Sequence, residues 1–225
     1  MIAMRLIFVG APGVGKGTQA RLLQERHGVP HLASGDLLRE AIEAGSRQGR
    51  EIETKMQSGA LVPDAWIQAL IFQKIEALGS GRSFSLDGFP RTPEQAKALE
   101  EMLRRAGQAP VDLVIDFEME PEAIIRRLSG RRVCPKCRMV FHLTNLKPYQ
   151  EGVCDRCGTK LTTRSDDQPG TIQKRLAVYE RETKPLLDFY EAAGILRHLP
   201  GDLSVSAQYD AMIELLTRER LVGAA

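Results

Sequence analysis

The sequence predicts an α/β protein, a parallel sheet with helices on both faces. Three observations carry this expectation. Short apolar runs at residues 4–9, 29–32, 84–86, 111–117 and 195–199 alternate with helix-like stretches such as 64–78 and 93–106. Strands buried on both faces and joined by crossover helices read this way. The first run leads straight into the glycine-rich "GAPGVGKGTQ" and then into a helical pattern, so strand, turn and helix follow in the order of an anion-binding unit. A chain of 225 residues with 43% hydrophobic content can bury one good core and still carry a small insertion.

Taken in order, residues 4–9 form the first strand, 10–15 the turn, and 16–26 a helix in which Ala20, Leu22 and Leu23 are available for burial. Ser34 is placed to cap a helix over 35–44, Asp64 follows Pro63 at the next long helix, and Pro93 and Pro121 stand at helix entrances. Two stretches break the simple alternation. Residues 34–63 offer two short helical patterns where one crossover helix would suffice. Residues 130–167 are turn-rich, with four cysteines, Pro135, Pro148 and Gly152. Both read as insertions into the sheet's connections, and loops longer than about 12–15 residues in a compact domain are usually functional, often as lids. There is no internal repeat and no low-complexity segment.

Composition narrows the function. Lys plus Arg number 31 against 29 Asp plus Glu, and the net charge of +2 gives no overall field to draw the chain onto nucleic acid or an anionic membrane. Any anion site must be local. The opening "MIAMRLIFVG" is apolar but runs directly into the turn without a cleavable leader pattern. No run reaches the ~18 apolar residues of a membrane span. These features predict a cytoplasmic protein.

The turn carries the first chemistry. Gly10, Gly13, Gly15 and Gly17 let successive N–H groups point inward as an anion nest, the helix N-terminus adds its dipole, and Lys16 adds a point charge. The phosphate-binding motif G-x-x-x-x-G-K normally continues with Ser or Thr, whose hydroxyl ligates Mg²⁺. Here Gly17 follows the lysine and the first hydroxyl is that of Thr18. Asp87, which closes the apolar run of "SLDGFPRT", is the candidate substitute, holding Mg²⁺ directly or through water. Asp116, at the end of "VDLVID", competes by position. Gly88 and Pro90, however, make a turn that exposes Arg91 beside Asp87, as a site for several phosphates needs. Asp116 is therefore expected to be a solvated strand end.

The cysteines Cys134, Cys137, Cys154 and Cys157 spell C-P-K-C, sixteen residues, then C-D-R-C. That spacing brings four thiolates to one tetrahedral Zn²⁺ with no open position, a structural ion. All four lie within 24 residues and none lies elsewhere, which fits a metal in a reducing compartment better than a disulfide framework. Arg131, Arg132, Arg138 and Arg156 flank them and admit a second reading, a zinc ribbon that binds nucleic acid and uses ATP. The near-zero net charge and the lack of interleaved aromatics weigh against it. A regulatory GTPase would need an N-K-x-D segment, and nothing in the chain resembles one.

Four segments, "GAPGVGKGTQ", "SGDLLRE", "LDGFPRT" and "LTTRSDDQ", together make the chain resemble the adenylate kinases in their long, lid-bearing form typical of bacteria. The resemblance runs nearly end to end. In that family Gly follows the loop lysine, and Mg²⁺ is held largely by phosphate oxygens and water. The resemblance implies a P-loop core with a five-stranded parallel sheet (residues 1–32, 63–129 and 168–225), a helical acceptor-binding insertion (33–62) and a zinc-binding lid (130–167). It implies a monomer whose partners are ATP and AMP or ADP, with no nucleic acid and no membrane. The reaction would be a reversible transfer of the γ-phosphoryl group from MgATP to AMP, giving two ADP. A GTP:AMP phosphotransferase or another nucleoside monophosphate kinase is the alternative.

Carried over motif by motif, ATP would lie on Gly10, Gly13, Gly15, Lys16, Gly17 and Thr18, with Arg127, Arg131, Phe141 and Gly201. Arg127 would lie against the donor base. AMP would meet Ser34, Arg39, Ala60, Leu61, Val62, Gly88, Arg91, Gln95, Arg164 and Arg175, with Arg39 and Arg91 gripping its phosphate. The transferring group would be surrounded by Lys16, Arg131, Arg164 and Arg175, alongside Arg91 and Asp87. Asp166 and Asp167 would pair with lid arginines, and the neighbouring Arg164 is consistent with that. The Gln95 amide would meet the base edge but by flipping would fit adenine and guanine alike, so the Gly88 carbonyl, accepting from the adenine amino group and repelling the guanine oxygen, would select adenine, and Ser34 stands where many relatives carry Thr. Because the attacking oxygen is already anionic, such chemistry needs no general base. His27, His31, His142 and His198 are then expected to have ordinary surface or partly packed roles. Some lids of this family lack the cysteines and keep their shape with a polar network.

Overall fold

A computed structural model describes residues 3–223; residues 1, 2, 224 and 225 of the expected core lie outside them. The chain begins β1 (Arg5–Val9), α1 (Lys16–His27), β2 (His31–Ala33), α2 (Ser34–Glu43), α3 (Arg47–Ser58) and α4 (Asp64–Leu78). It continues through β3 (Phe84–Asp87), α5 (Pro93–Arg105), β4 (Leu113–Glu118) and α6 (Pro121–Ser129) to the short strands β5 (Arg131–Val133) and β6 (Val140–His142). A 3₁₀ turn at Ser165–Asp167, α7 (Pro169–Val178), a π-helical turn at Tyr179–Thr183, α8 (Pro185–Ala192), β7 (Leu196–Pro200) and α9 (Val205–Arg218) complete it.

The main sheet has five strands in the order β2-β3-β1-β4-β7, every pair parallel. The alternation of side chains along β1 explains why the strands are apolar throughout. Ile7 and Val9 enter one buried cluster with Leu86 and Val114, whereas Leu6 and Phe8 enter another with Leu113, Ile115 and Phe117. Helices cover both clusters: Ile71 and Ile75 of α4 and Leu99 of α5 complete the first, and Leu23 of α1 and Met212 of α9 the second. All five expected strands form, with ends shifted by one or two residues. β2, for instance, begins at His31 and not at 29, while the Pro30 carbonyl accepts from the Ser85 N–H at 2.8 Å.

Proline punctuation behaves as expected, with Pro93 and Pro121 in the first turns of α5 and α6. The Ser34 cap does not form. Ser34 is itself the first residue of α2 and is buried, and its Oγ donates to the Gly88 carbonyl at 2.8 Å, so the hydroxyl ties α2 to the turn after β3. A cap does form on α3, where the Ser46 side chain accepts from the Gly49 N–H at 2.9 Å.

The two irregular stretches are built differently. Helices α2 and α3 send Leu37, Leu38 and Ile52 into the same cluster as Ile7 and Leu86. The segment after α6 instead pairs β5 and β6 antiparallel and has its own small cluster of Cys134, Phe141, Cys154 and Leu161. Among the described residues no helix is long and apolar enough to cross a membrane.

Candidate functional site

The glycine-rich turn joins the central strand to the start of α1, with Gly10, Gly13 and Gly15 at φ 132°, 96° and 110°. These values favour glycine. The Lys16 side chain folds back over the turn, and its Nζ donates to the carbonyls of Gly10 (2.6 Å) and Ala11 (2.9 Å). Burial pushes the Lys16 ammonium down to about 8, opposed by the charge of Asp87. The residue after the lysine has a steric reason to be glycine. A Cβ at Gly17 would lie 2.9 Å from Asp87 Oδ2, closer than side-chain carbons come to oxygen. The missing hydroxyl and the nearby carboxylate are thus one feature.

Asp87 sits at the C-terminal end of β3, facing the turn. His31 Nε2 stands 3.6 Å from its Oδ2, just beyond hydrogen-bond length. Burial would raise this carboxyl, but His31 and the charges of Lys16 and Arg91 outweigh it and hold it below its ordinary value. The expectation for Asp116 fails. It is 3% exposed, because parallel pairing brings His198 of β7 beside it, with Nδ1 3.4 Å from Oδ2. Its Oδ1 has no hydrogen-bond partner among the described residues, and burial pushes its carboxyl up despite His198. Only Asp87 of the two lines the cavity described next.

That cavity measures about 610 Å³ and opens between the turn, the end of β3, α2 and the cysteine-bearing segment. Lys16, Arg39, Arg91, Arg127, Arg131, Arg164 and Arg175 all line it, with Gly10, Gly13, Gly15, Gly17, Thr18, Ser34, Leu61, Asp87, Gly88 and Phe141. A small annex of about 70 Å³ is lined by Ala60, Leu61, Val62, Gly88, Arg91 and Gln95. Gly201 is reached through Arg127, whose Nη1 donates to its carbonyl at 2.8 Å and to that of Val14 at 3.2 Å. Arg21 and Asp36, for which the sequence predicts no role, also line the cavity, as does His31, whose place beside Asp87 departs from the ordinary packing role expected of it.

The carboxylates present do not neutralise this cationic lining. Asp167 accepts from Arg131 Nε (2.7 Å) and Arg175 Nη1 (3.2 Å), and Asp166 lies 3.1 Å from Arg175 Nη1. Burial would raise the Asp166 carboxyl, but Arg175 and Arg131 hold it below the usual carboxylate range. Arg164 is not their partner, contrary to what its adjacency suggested. Among the described residues it has no carboxylate within ion-pair distance, and burial, with Arg131 and Arg39 beside it, pushes its guanidinium down to about 9. A buried cation without a counter-ion is costly, so the site favours an incoming anion. Arg39 is held by Asp36 at 2.6 Å, and Arg91 Nε donates to the Gly88 carbonyl at 2.8 Å.

Two expectations about base reading change. The Gly88 carbonyl already accepts from Ser34 Oγ and Arg91 Nε, both at 2.8 Å, so an amino group approaching it must displace one of them. The Gln95 amide cannot flip. Its Oε1 accepts from the Arg91 N–H (2.8 Å) and its Nε2 donates to Asp64 Oδ1 (2.7 Å), so the partners dictate which end is oxygen. Asp64 escaped sequence reasoning because it lies 31 residues from Gln95 and looked like a helix-start residue only.

The four cysteines converge. Their Sγ atoms all lie within 4.8 Å of one another, with Cys134–Cys157 and Cys137–Cys154 each at 3.4 Å. Zinc–sulfur bonds of ~2.3 Å in a tetrahedron require sulfur separations of ~3.8 Å. The donor set therefore fits Zn²⁺ with small adjustments.

A family model for adenylate kinase matches residues 8–195 of the chain. The chain is 44% identical over 198 residues to an adenylate kinase of Syntrophomonas wolfei, covering 88% of this chain and 92% of that one. Identity is 40% over 213 residues with an adenylate kinase of Agathobacter rectalis (95% and 99% covered) and 43% over 217 residues with one of Rhizobium etli (95% and 100%).

Proposed function

The chain belongs to the adenylate kinase family, and from that premise we propose how its site carries out reversible transfer of the γ-phosphoryl group from MgATP to AMP, giving two ADP. The observation that carries the proposal is the convergence of Lys16 and seven arginines on one cavity beside the glycine-rich turn.

The donor's β- and γ-phosphates lie on the N–H groups of residues 10–18, with Lys16 exchanging its carbonyl partners for phosphate oxygens. The acceptor phosphate is gripped by Arg39 and Arg91. Arg131, Arg164 and Arg175 face the transferring group and stabilise charge on its equatorial oxygens. No side chain has to remove a proton, since the acceptor oxygen is already anionic. The work is to screen repulsion and hold the groups in line. Asp166 and Asp167 keep Arg131 and Arg175 extended into the cavity before nucleotide arrives. Asp87, kept ionised, is the residue fitted to hold Mg²⁺ directly or through water; when bound, that ion neutralises charge on the phosphate oxygens.

Residues 33–62 then form the acceptor-binding insertion and residues 130–167 a lid. Cys134, Cys137, Cys154 and Cys157 would hold a Zn²⁺ in the lid, where four protein ligands would leave it a structural role only. The locked Gln95 amide presents one remaining N–H and one remaining lone pair in fixed order to the acceptor base. This supports AMP over GMP, CMP and UMP by roughly 10²-fold in kcat/KM, since a site built for hydrogen bonds rejects a mispaired ligand strongly.

The test is a nucleotide balance by chromatography with MgATP and AMP. ADP should form in a 2:1 ratio to AMP consumed, without nucleic acid. Inorganic phosphate in place of doubled ADP would identify an ATPase. A GMP or UMP rate within threefold of the AMP rate in competition would show that the acceptor is misassigned.

A further inference from the structure

The four cysteines sit on two turns of the same construction. In each, the N–H after the second cysteine donates to the carbonyl of the first: Arg138 to Cys134 and Gly158 to Cys154, both at 2.9 Å. In each, the first cysteine's N–H donates to the carbonyl five residues on, Met139 or Thr159, again at 2.9 Å. This geometry puts the residue after the second cysteine at positive φ, 70° for Gly158 and 60° for Arg138. Glycine takes that conformation freely. A residue with a Cβ meets a steric penalty there. Arg138 thus occupies a position where its twin turn uses glycine.

What the two turn residues face accounts for the difference. A Cβ at Gly158 would have nothing within 4 Å. The Arg138 side chain, only 19% exposed, crosses to α2. Its Nη1 donates to the Asp36 carbonyl (2.7 Å) and to Glu40 Oε1 (3.2 Å), and its Nη2 to Glu43 Oε2 (3.0 Å). Asp36, Glu40 and Glu43 follow the four-then-three spacing of one helix face. Asp36 is also the residue whose carboxylate holds Arg39 at 2.6 Å. A single cation on the cysteine-bearing lid therefore touches the residue that orients an acceptor-site arginine.

We propose that Arg138 is a positioning residue that latches the lid to α2 and, through Asp36, sets Arg39 for the acceptor phosphate. The proposal rests on the phosphoryl-transfer reading of the site. Glu40 and Glu43 are 53% and 63% exposed, so each ion pair alone is weak and screened by salt. The hydrogen bond to the Asp36 carbonyl is charge-assisted and partly buried, which strengthens the set. Closing the lid and ordering the acceptor site then become one event, with the latch opposing product release.

Arg138→Gly tests this, because it copies the Gly158 turn, relieves the strain and removes the cation. Zinc content should stay at one ion per chain and thermal stability should not fall. KM for AMP should rise about fivefold while kcat holds or increases, and Arg138→Lys should restore part of the loss. The wild-type KM for AMP should rise with salt more steeply than that of Arg138→Gly. The double variant Glu40→Gln/Glu43→Gln leaves the lid intact and should raise KM for AMP by a smaller factor, with no further rise when combined with Arg138→Gly. Should the glycine variant lose zinc, the glutamine pair alone decides. A KM for AMP within 1.5-fold of wild type in Arg138→Gly that keeps its zinc, or in the glutamine pair, overturns the latch while leaving the kinase reading intact. Wild-type protein that makes no ADP from ATP and AMP would instead overturn that reading.

Discussion

The glycine-rich turn proposed to bind phosphate and the cysteine-bearing segment proposed as a lid are both short and contain glycine, yet they are held in opposite ways. Behind the turn stand the sheet and its packed clusters: Val14 is buried within the turn itself, Phe8 and Val9 precede it, and Leu128 and Gln208 close around it. The cysteine-bearing segment has only Cys134, Phe141, Cys154 and Leu161 buried in its own cluster. Two of those four are metal-ligand candidates. In the turn, then, shape comes from the fold and the polar groups are free to serve chemistry. In the lid, the polar groups supply the shape. Damage to the turn should remove catalysis and leave the fold, and damage to the lid should do the reverse.

The largest expected effect breaks the turn. Lys16→Met removes a preorganised charge from the phosphate oxygens, and ~10³-fold loss in kcat is typical of such deletions. Thermal stability should hold or rise, because the lost ammonium is buried with burial disfavouring its charge. A loss below tenfold would mean that Lys16 does not face the transferring group.

Next comes the lid. Zinc should be present at one ion per chain, and Cys134→Ser should lose it and lower the thermal midpoint, since metal affinity in so small a cluster is folding free energy. At low temperature kcat should fall by much less. If activity is lost while stability holds, the ion touches reacting atoms and the comparison fails.

How much of this contrast was visible in the sequence depends on separation along the chain. The turn, the cysteine pairs and the five strands are local patterns, each contained within some ten residues, and all were legible. Tertiary partners were not. Asp116 reads as a strand end, and only the arrival of β7, some eighty residues later, buries it beside His198. Arg164 adjoins Asp166 and Asp167 in sequence, but the carboxylates face Arg131 and Arg175 because β5 and α7 each bring an arginine to the 3₁₀ turn that carries them. Ser34 looks like a cap, yet its hydroxyl donates to the Gly88 carbonyl in the turn after β3, and α2 has no side-chain cap. Short polar side chains follow whichever donor or acceptor the fold brings nearest, and hydrophobic periodicity carries no record of that.

A pH profile sharpens the turn half of the comparison. The Lys16 ammonium, displaced by burial to about 8, is the charged form below that pH and neutral above it. The charged form binds phosphate, so kcat/KM for MgATP should fall by about tenfold per unit above pH ~8, as the free-enzyme ionisation dictates. Bound triphosphate favours the charge and should carry the kcat profile to higher pH. Coincident breaks in the two profiles would mean that Lys16 does not contact the nucleotide.

The smallest effect concerns Gly17, and its sign is the informative part. Gly17→Ser would write the usual G-x-x-x-x-G-K-S motif into this loop and supply the hydroxyl that commonly ligates Mg²⁺, so motif reasoning alone expects activity to rise. The structure expects a fall. Any Cβ at position 17 would meet Asp87 Oδ2 at 2.9 Å, and that carboxylate has His31 3.6 Å away on one side and the charges of Lys16 and Arg91 favouring its ionised form. Either α1 tilts away from the strand end or Asp87 turns off the position from which it would hold Mg²⁺. A displacement of a few tenths of an ångström at such a site costs about tenfold, well short of the 10²-fold that a full ångström can cost. Gly17→Ala separates the two contributions, because it adds the same Cβ without the hydroxyl. Both variants should lose kcat by about the same factor, the requirement for Mg²⁺ should shift to higher concentration, and the fold should be unchanged. A serine variant faster than wild type, with the alanine variant slow, would show that the hydroxyl and not the Asp87 carboxylate is the better partner for the ion in this loop.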